Sequence, residues 1–289
     1  MYDVIIIGAG PSGLTSALYA LRANKKVLLL EKGIYGGQII NASIIENYPA
    51  LPNISGFLFA SNLYNQVMDL GLDYKNEEVI RIERNKVITK GNSYDTKSII
   101  IATGCDNRKL NINEDKYIGK GVSYCATCDG NFYKGKDVAV VGGGNTALEE
   151  ALYLSSICNK VYLIHRGNTF KGEQIYIDKL KEKDNVDFIF NSNVIKLNGD
   201  TLESIDLDNN SNILVSGLFI AIGKIPMSNI FKGFIDLDEN GYINSVDGVH
   251  TNIEGIYVCG DVRKKELRQL TTAVSDGSVA ATTAIKEMK

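Results

Sequence analysis

The chain has 289 residues, of which 44% are apolar and 22% charged, a balance that allows buried cores and excludes a disordered chain. Its net charge of −3 argues against a general nucleic-acid binder. At roughly 100–200 residues per domain, two domains are expected. No apolar run approaches the ~18 residues of a membrane span, and the first ten residues lack the charged start and cleavage site of a secretory signal. A chain free of membrane segments and located in the cytoplasm is therefore expected.

In chain order, residues 2–7 form a β-branched run that predicts a strand, followed at once by Gly8, Gly10 and Gly13 in a GxGxxG turn that includes Ser12. Residues 14–24 predict a helix, and 26–30 a second strand ending at Glu31. Residues 98–101 predict a strand closed by Ala102, Thr103 and Gly104, and 111–116 a polar crossover. The opening pattern then recurs. A strand over 137–141 leads into Gly142, Gly144, Asn145, Thr146 and Ala147, a helix over 148–157 and a strand over 161–165. A shift of 134 carries Gly8 onto Gly142, Gly10 onto Gly144, Gly13 onto Ala147 and Glu31 onto His165. A strand over 218–222, a turn at Asn240 and Gly241, a strand over 255–259 before Gly260 and Asp261, and a helix from Leu270 complete the chain.

Each copy is a βαβ unit of the dinucleotide-binding kind. The first glycine permits the tight turn, the second admits a pyrophosphate, and the third position lets helix and strand pack closely. An acid at the end of the second strand, Glu31, suits a ribose diol. The second copy has His165 and Arg166 there, with Lys171 further on, and positive charge favours a 2′-phosphate. The expected fold is α/β: two Rossmann-like dinucleotide-binding domains, the second inserted into the first. The expected boundaries are 1–112 with 245–289 for the first domain and 113–244 for the second.

Cys125 and Cys128 have redox spacing, and Asp129 beside them is a carboxylate able to move a thiol proton. There is no second CxxC and only two histidines, so a structural metal is not expected. Cys105, Cys158 and Cys259 lie in apolar contexts and are expected to be buried thiols. His250 has no evident partner in the sequence and reads as a surface or satisfied histidine.

Together these residues resemble the low-molecular-weight thioredoxin reductase family over the whole chain. The resemblance rests on residues 8–13 with Glu31, Gly36-Gly37-Gln38, residues 45–49 (IENYP), 102–104 (ATG), 125–130 (CATCDG), 142–147, Gly260-Asp261 and Arg268-Gln269. It implies a first domain that binds FAD and a second that binds NADPH and carries the cysteine pair. It also implies domain rotation between flavin reduction and substrate attack, a homodimer, and thioredoxin as substrate. By the same resemblance Asp261 holds the flavin's ribityl chain, and Gln38, Asn47, Arg268 and Gln269 line the flavin. The family's HRRxxxRA segment reads HRGNTFKG here, with Gly167 for one arginine and Lys171 for another. That erosion leaves reduced ferredoxin open as an alternative donor. A flavin dithiol oxidase and a non-catalytic redox sensor are further readings of the same motifs.

Overall fold

The computed structural model describes residues 1–42, 44–51 and 53–288. The chain opens with β1 (Tyr2–Ile7), α1 (Pro11–Arg22) and β2 (Val27–Glu31), then α2 (Gly56–Met68) and β3 (Asp73–Asn76). β4 (Val79–Glu83), β5 (Lys86–Thr89) and β6 (Ser93–Ile101) follow, and β7 (Cys105–Asn107) begins the first crossover. The middle of the chain holds β8 (Val122–Ser123), the short helix α3 (Ala126–Asp129), β9 (Asp137–Val141), α4 (Asn145–Ser155), β10 (Lys160–Ile164), α5 (Gln174–Lys181) and β11 (Val186–Ile189). It continues through β12 (Val194–Asn198), β13 (Ser204–Leu207), β14 (Asn212–Leu214) and β15 (Gly217–Ile220). β16 (Lys224–Pro226) returns through the second crossover, paired with β7, and β17 (Ile256–Val258) and α6 (Leu270–Glu287) end the chain.

Two compact units result, one of Met1–Ser43, Asn53–Asp106 and Ile225–Lys289, the other of Ile44–Pro52 and Asn107–Lys224. The crossovers thus fall at 106/107 and 224/225 rather than at 112/113 and 244/245. The reason is packing. Phe231, Ile235 and Ile243 are buried against Ile5, Ile7, Leu28 and Leu30 of the first sheet, so residues 225–244 belong with it. The segment holding Asn47 groups with the second unit instead of the first. There Asn131 Nδ2 donates to Glu46 Oε2 at 2.8 Å.

The first unit's sheet runs β3-β2-β1-β6, with β6 paired to β5 in its first half and to β17 in its second. β1 is parallel to β2 and β6, and β5 is antiparallel to β4 and β6. The second unit repeats the order as β11-β10-β9-β15-β8, all parallel. The registers repeat as well: Ile7 stands opposite Leu30 and Ile101, and Val141, 134 residues on, opposite Ile164 and Ile220. Both faces of each sheet are covered, which is why the strands read as continuous apolar runs rather than alternating ones. Val4, Ile6 and Leu29 face α1 and α6, while Ile5, Ile7 and Leu28 face the opposite core.

Both dinucleotide helices start three residues earlier than the apolar pattern predicts, because a glycine serves as N-cap. Gly10 precedes α1, which has Pro at its first turn, and Gly144 precedes α4; neither supplies a side-chain cap. α6 crosses α1 closely, since a Cβ on Gly277 would overlap the Ser12 carbonyl and Ser16 Oγ donates to Gly277 O at 3.0 Å. No helix of the described residues is long and apolar enough to cross a membrane.

Candidate functional site

In the first unit the predicted glycines converge with the ends of β6 and β17. Gly8 has φ +106°, and a Cβ on it would overlap the Ala102 carbonyl oxygen. A Cβ on Gly13 would overlap the carbonyl of Gly8, and one on Gly37 would come 3.1 Å from Gly10 Cα. A Cβ on Gly260 would overlap the hydroxyl of buried Ser12. Gly10 is different: nothing lies within 4 Å of where its Cβ would be. The open space beside an uncapped helix start is what a pyrophosphate needs.

Glu31, at the end of β2, accepts from Ala9 N at 2.8 Å through Oε2 and from Gly33 N at 2.8 Å through Oε1. It borders a cavity of about 260 Å³ lined also by Gly8, Lys32, Thr103 and Met227. Thr103 Oγ1 and Asp261 Oδ1 are buried without a hydrogen-bond partner, although Lys265 Nζ stands 3.5 Å from the latter. Gly104 turns the chain at φ +69°, and its carbonyl accepts from Met227 N at 3.0 Å. Gln38 Nε2 donates to Asp106 Oδ1 at 3.0 Å. The Arg268 guanidinium lies 4.0 Å over the Tyr242 ring and donates through Nε to Asp261 O at 3.2 Å. Gln269 is the N-cap of α6, in a capping box with Thr272.

The second unit rebuilds this cradle. A Cβ on Gly142, at φ +154°, would overlap the Ala221 carbonyl oxygen and meet Ala147 Cβ at 2.6 Å. Gly144 again faces open space. A Cβ on Gly143 would collide with the His165 ring, which is buried against Phe170. Burial and the nearby Arg166 and Lys171 cations keep His165 below its ordinary value, so it is neutral near pH 7. Arg166, Lys171 and Thr146 are exposed, and Lys171 N donates to Gly143 O at 2.6 Å. Asn145 is engaged with Glu173: its Nδ2 donates to Glu173 Oε1 at 2.8 Å, and its Oδ1 accepts from Glu173 N at 2.7 Å.

Cys125 and Cys128 form a disulfide, with Cα atoms 5.3 Å apart, at the start of and within α3. Ser123 orders the turn: it accepts from Cys125 N at 3.0 Å and donates to Asp129 Oδ2 at 2.7 Å. Thr127 Oγ1 donates to Cys125 Sγ at 3.4 Å. Asp129 Oδ1 is buried without a hydrogen-bond partner. Burial first, and then the Glu46 charge, raise the Asp129 carboxyl above its ordinary value, against the Ser123 bond that lowers it. Cys105, Cys158 and Cys259 are buried and lie outside any disulfide, and Cys105 Sγ donates to Asp261 O at 2.9 Å. His250 pairs with Glu287, with Nε2 2.9 Å from Oε1, while its Nδ1 is buried without a hydrogen-bond partner.

Sequence reasoning missed a knot of charge behind Asp261. Asp276 accepts from Arg263 at 2.9 Å and from Lys265 at 3.0 Å, and the Lys265 side chain is only 6% exposed. Arg263 and Lys265 carry no sign in the sequence that they fold inward onto α6. It also missed Glu150, whose Oε1 accepts from Ala126 N at 3.3 Å. A signal existed there: Glu150 lies three residues after Ala147 and four before Leu154, both on the buried face of α4.

Comparison with known proteins agrees with this geometry. Residues 2–277 match the family model described as pyridine nucleotide-disulphide oxidoreductase. The chain is 41% identical to a thioredoxin reductase of Listeria innocua, over 99% of this chain and 93% of that protein. It is 39% identical to the thioredoxin reductase of Bacillus subtilis, over 97% and 93% respectively. The crystal structure of thioredoxin reductase from Streptococcus pyogenes superposes with a TM-score of 0.94 at 39% identity, covering 99% of this chain and 98% of that one. With a redox disulfide and two glycine cradles in matching order along the full length, the chain belongs to the low-molecular-weight thioredoxin reductase family of pyridine nucleotide-disulphide oxidoreductases.

Proposed function

We propose that this chain carries electrons from NADPH through FAD to the Cys125–Cys128 disulfide and on to oxidised thioredoxin, as a homodimer in the cytoplasm. The observation that carries the reading is the disulfide in a chain with two helix N-termini that each present a bare glycine to open space. The family uses FAD and NADPH. The residues fit both. Thr103 Oγ1 and Asp261 Oδ1 offer unused polar atoms beside the first cradle, and Arg166 and Lys171 offer exposed charge beyond the second.

FAD, when bound, supplies a two-electron relay between the nicotinamide and sulfur. The chain's own residues do the rest. Uncapped amides after Gly10 and Gly144 receive the pyrophosphates. Glu31 is held at the strand end with lone pairs left for a ribose diol. Gln38, Asn47, Arg268 and Gln269 position the flavin. Asp129, its carboxyl raised above its ordinary value by burial, stands next to the pair in the chain as the carboxylate that passes a proton to the dithiol. Once reduced, one thiolate attacks the external disulfide to form a mixed disulfide. The second sulfur then displaces the partner's thiol, so the Cys125–Cys128 bond re-forms as the partner leaves reduced.

NADPH is favoured over ferredoxin by the second cradle, which keeps both its uncapped helix and its open glycine. The test is anaerobic. NADPH added to flavin-loaded protein bleaches the flavin absorbance, and oxidised thioredoxin restores it. A flavin left unreduced by millimolar NADPH but bleached by reduced ferredoxin overturns the donor. Oxygen uptake with a small dithiol, without thioredoxin turnover, overturns the acceptor.

A further inference from the structure

Two carboxylates flank the short helix that carries the redox pair, and each keeps one oxygen sealed from solvent without a hydrogen-bond partner: Asp129 Oδ1 and Glu150 Oε2. Their remaining contacts are unequal. Asp129 Oδ2 accepts a 2.7 Å bond from the Ser123 hydroxyl, while Glu150 Oε1 accepts a single long bond, 3.3 Å, from Ala126 N. The buried face of α4 carries Glu150 inward, between Ala147 and Leu154. Burial of two like charges that act on one another disfavours ionising both, and the better hydrogen-bonded carboxylate ionises first.

We propose that Glu150 is the proton-holding partner of Asp129 beside the Cys125–Cys128 pair, a positioning residue that keeps a proton available to the dithiol through Asp129. The charged and titratable groups acting on it are Asp129 next to the pair, Glu149 on its own helix and Lys224 at the start of β16, together with the Ala126 amide. Burial is the largest influence. Together with the two acids it outweighs Lys224 and the amide, and the Glu150 carboxyl is pushed up to about 7.

The proton balance gives this group a task. Reducing the disulfide breaks one S–S bond and forms two S–H bonds. NADPH contributes a hydride, which is two electrons and one proton, and a second proton must come from elsewhere. Glu150 supplies that proton by way of Asp129 and is reprotonated from solvent. In the exchange with a protein disulfide the two thiol protons leave with the product dithiol, so no net proton is needed there. The direction of this cycle rests on the thioredoxin reductase reading; the titration of Glu150 against the dithiol does not.

The test therefore uses the dithiol itself. Flavin-loaded full-length protein is reduced with excess dithiothreitol, and the rate of iodoacetamide alkylation at Cys125 and Cys128 is followed by mass spectrometry from about pH 5.5 to 9, the range spanning carboxyl and thiol ionisation. Wild type shows an inflection near pH 7 below the thiols' own titration. Glu150→Gln keeps the volume and the acceptor for Ala126 N but loses the inflection. Asp129→Asn keeps it, displaced to lower pH because one negative neighbour is gone. Glu150→Asp restores an inflection at a shifted pH. Superimposable profiles for wild type and Glu150→Gln overturn the proposal, as does an inflection abolished by Asp129→Asn alone. If Glu150→Gln does not fold, Glu150→Asp decides, since an unmoved inflection in that variant is equally fatal. A chain that never reduces thioredoxin would still give this profile, so the two readings fail separately.

Discussion

At the residue scale the glycines sort into those the fold needs and those only a ligand needs. Gly8 combines a positive φ with contact to the Ala102 carbonyl, so Gly8→Ala strains the backbone and the packing together. Gly10 sits at φ −71° with nothing near its Cβ position. Gly10→Ala should therefore leave the thermal midpoint of the cofactor-free protein almost unchanged while FAD affinity, read by flavin fluorescence, falls tenfold or more, about 1.4 kcal/mol. An unaltered FAD affinity would remove the pyrophosphate from this turn. Gly167 poses the opposite case, a position where a side chain is missing. It is not in the left-handed region, and its Cβ would stand 3.1 Å from His165 Nε2, so a small shift of the ring admits one. Gly167→Arg should lower the KM for NADPH roughly tenfold to a hundredfold, from one charge-assisted phosphate contact of about 1.5–3 kcal/mol, and leave NADH nearly unchanged. Equal effects on both nucleotides would place the 2′-phosphate elsewhere.

At the element scale the decisive contact ties α6 to the loop after β17. Asp276 is the shared acceptor for Arg263, Lys265 and Gly260 N, with its side chain only 12% exposed. Asp276→Asn leaves the Arg263 cation without its carboxylate and Lys265 with only Asp261 at 3.5 Å, which costs about 3–5 kcal/mol. Urea melts should show that loss, and because Lys265 also neighbours Asp261, flavin should be released at lower denaturant than in wild type. A midpoint within error of wild type would mean the cations reach solvent. The same region shows how one residue serves two demands. Gln269 reads in sequence as a flavin-lining residue, and in the fold its side chain caps α6. Apolar periodicity places α6 from Leu270, but a capping box with Thr272 is visible only when the backbone there is known to leave the helix.

At the scale of the whole molecule, the first glycine cradle, proposed to hold the flavin, and the redox pair lie on separate units of the chain, Asn47 alone of the proposed flavin residues falling on the unit of the pair. Cys125→Ser or Cys128→Ser should therefore abolish thioredoxin reduction, by the loss of attack or of resolution, yet keep FAD bound and still bleached by NADPH. Loss of flavin from either variant, measured by its absorbance after gel filtration, would contradict that division. The break in the chain is also where sequence reasoning slipped. Residues 225–244 contain no glycine cradle or long apolar strand, and only their burial as Phe231, Ile235 and Ile243 against the first sheet shows which unit they complete.

The sequence by itself determined the two βαβ units, their order, the bare glycines at both helix starts and the redox pair. These depend on local rules: strand and helix periodicity, the φ of a tight turn, the absence of a Cβ, and a spacing of three between thiols. The repeat of 134 residues is legible for the same reason, since equivalent local structure demands equivalent residues. The tertiary structure alone decided the partners of charged side chains. Lys265 and Arg263 look like solvated surface charge until α6 brings Asp276 to them, and Glu150 looks like half of an exposed acidic pair until α3 is laid across α4. A carboxylate's proton affinity is set by what burial removes and by which groups remain within reach, and both are properties of chain segments far apart in sequence.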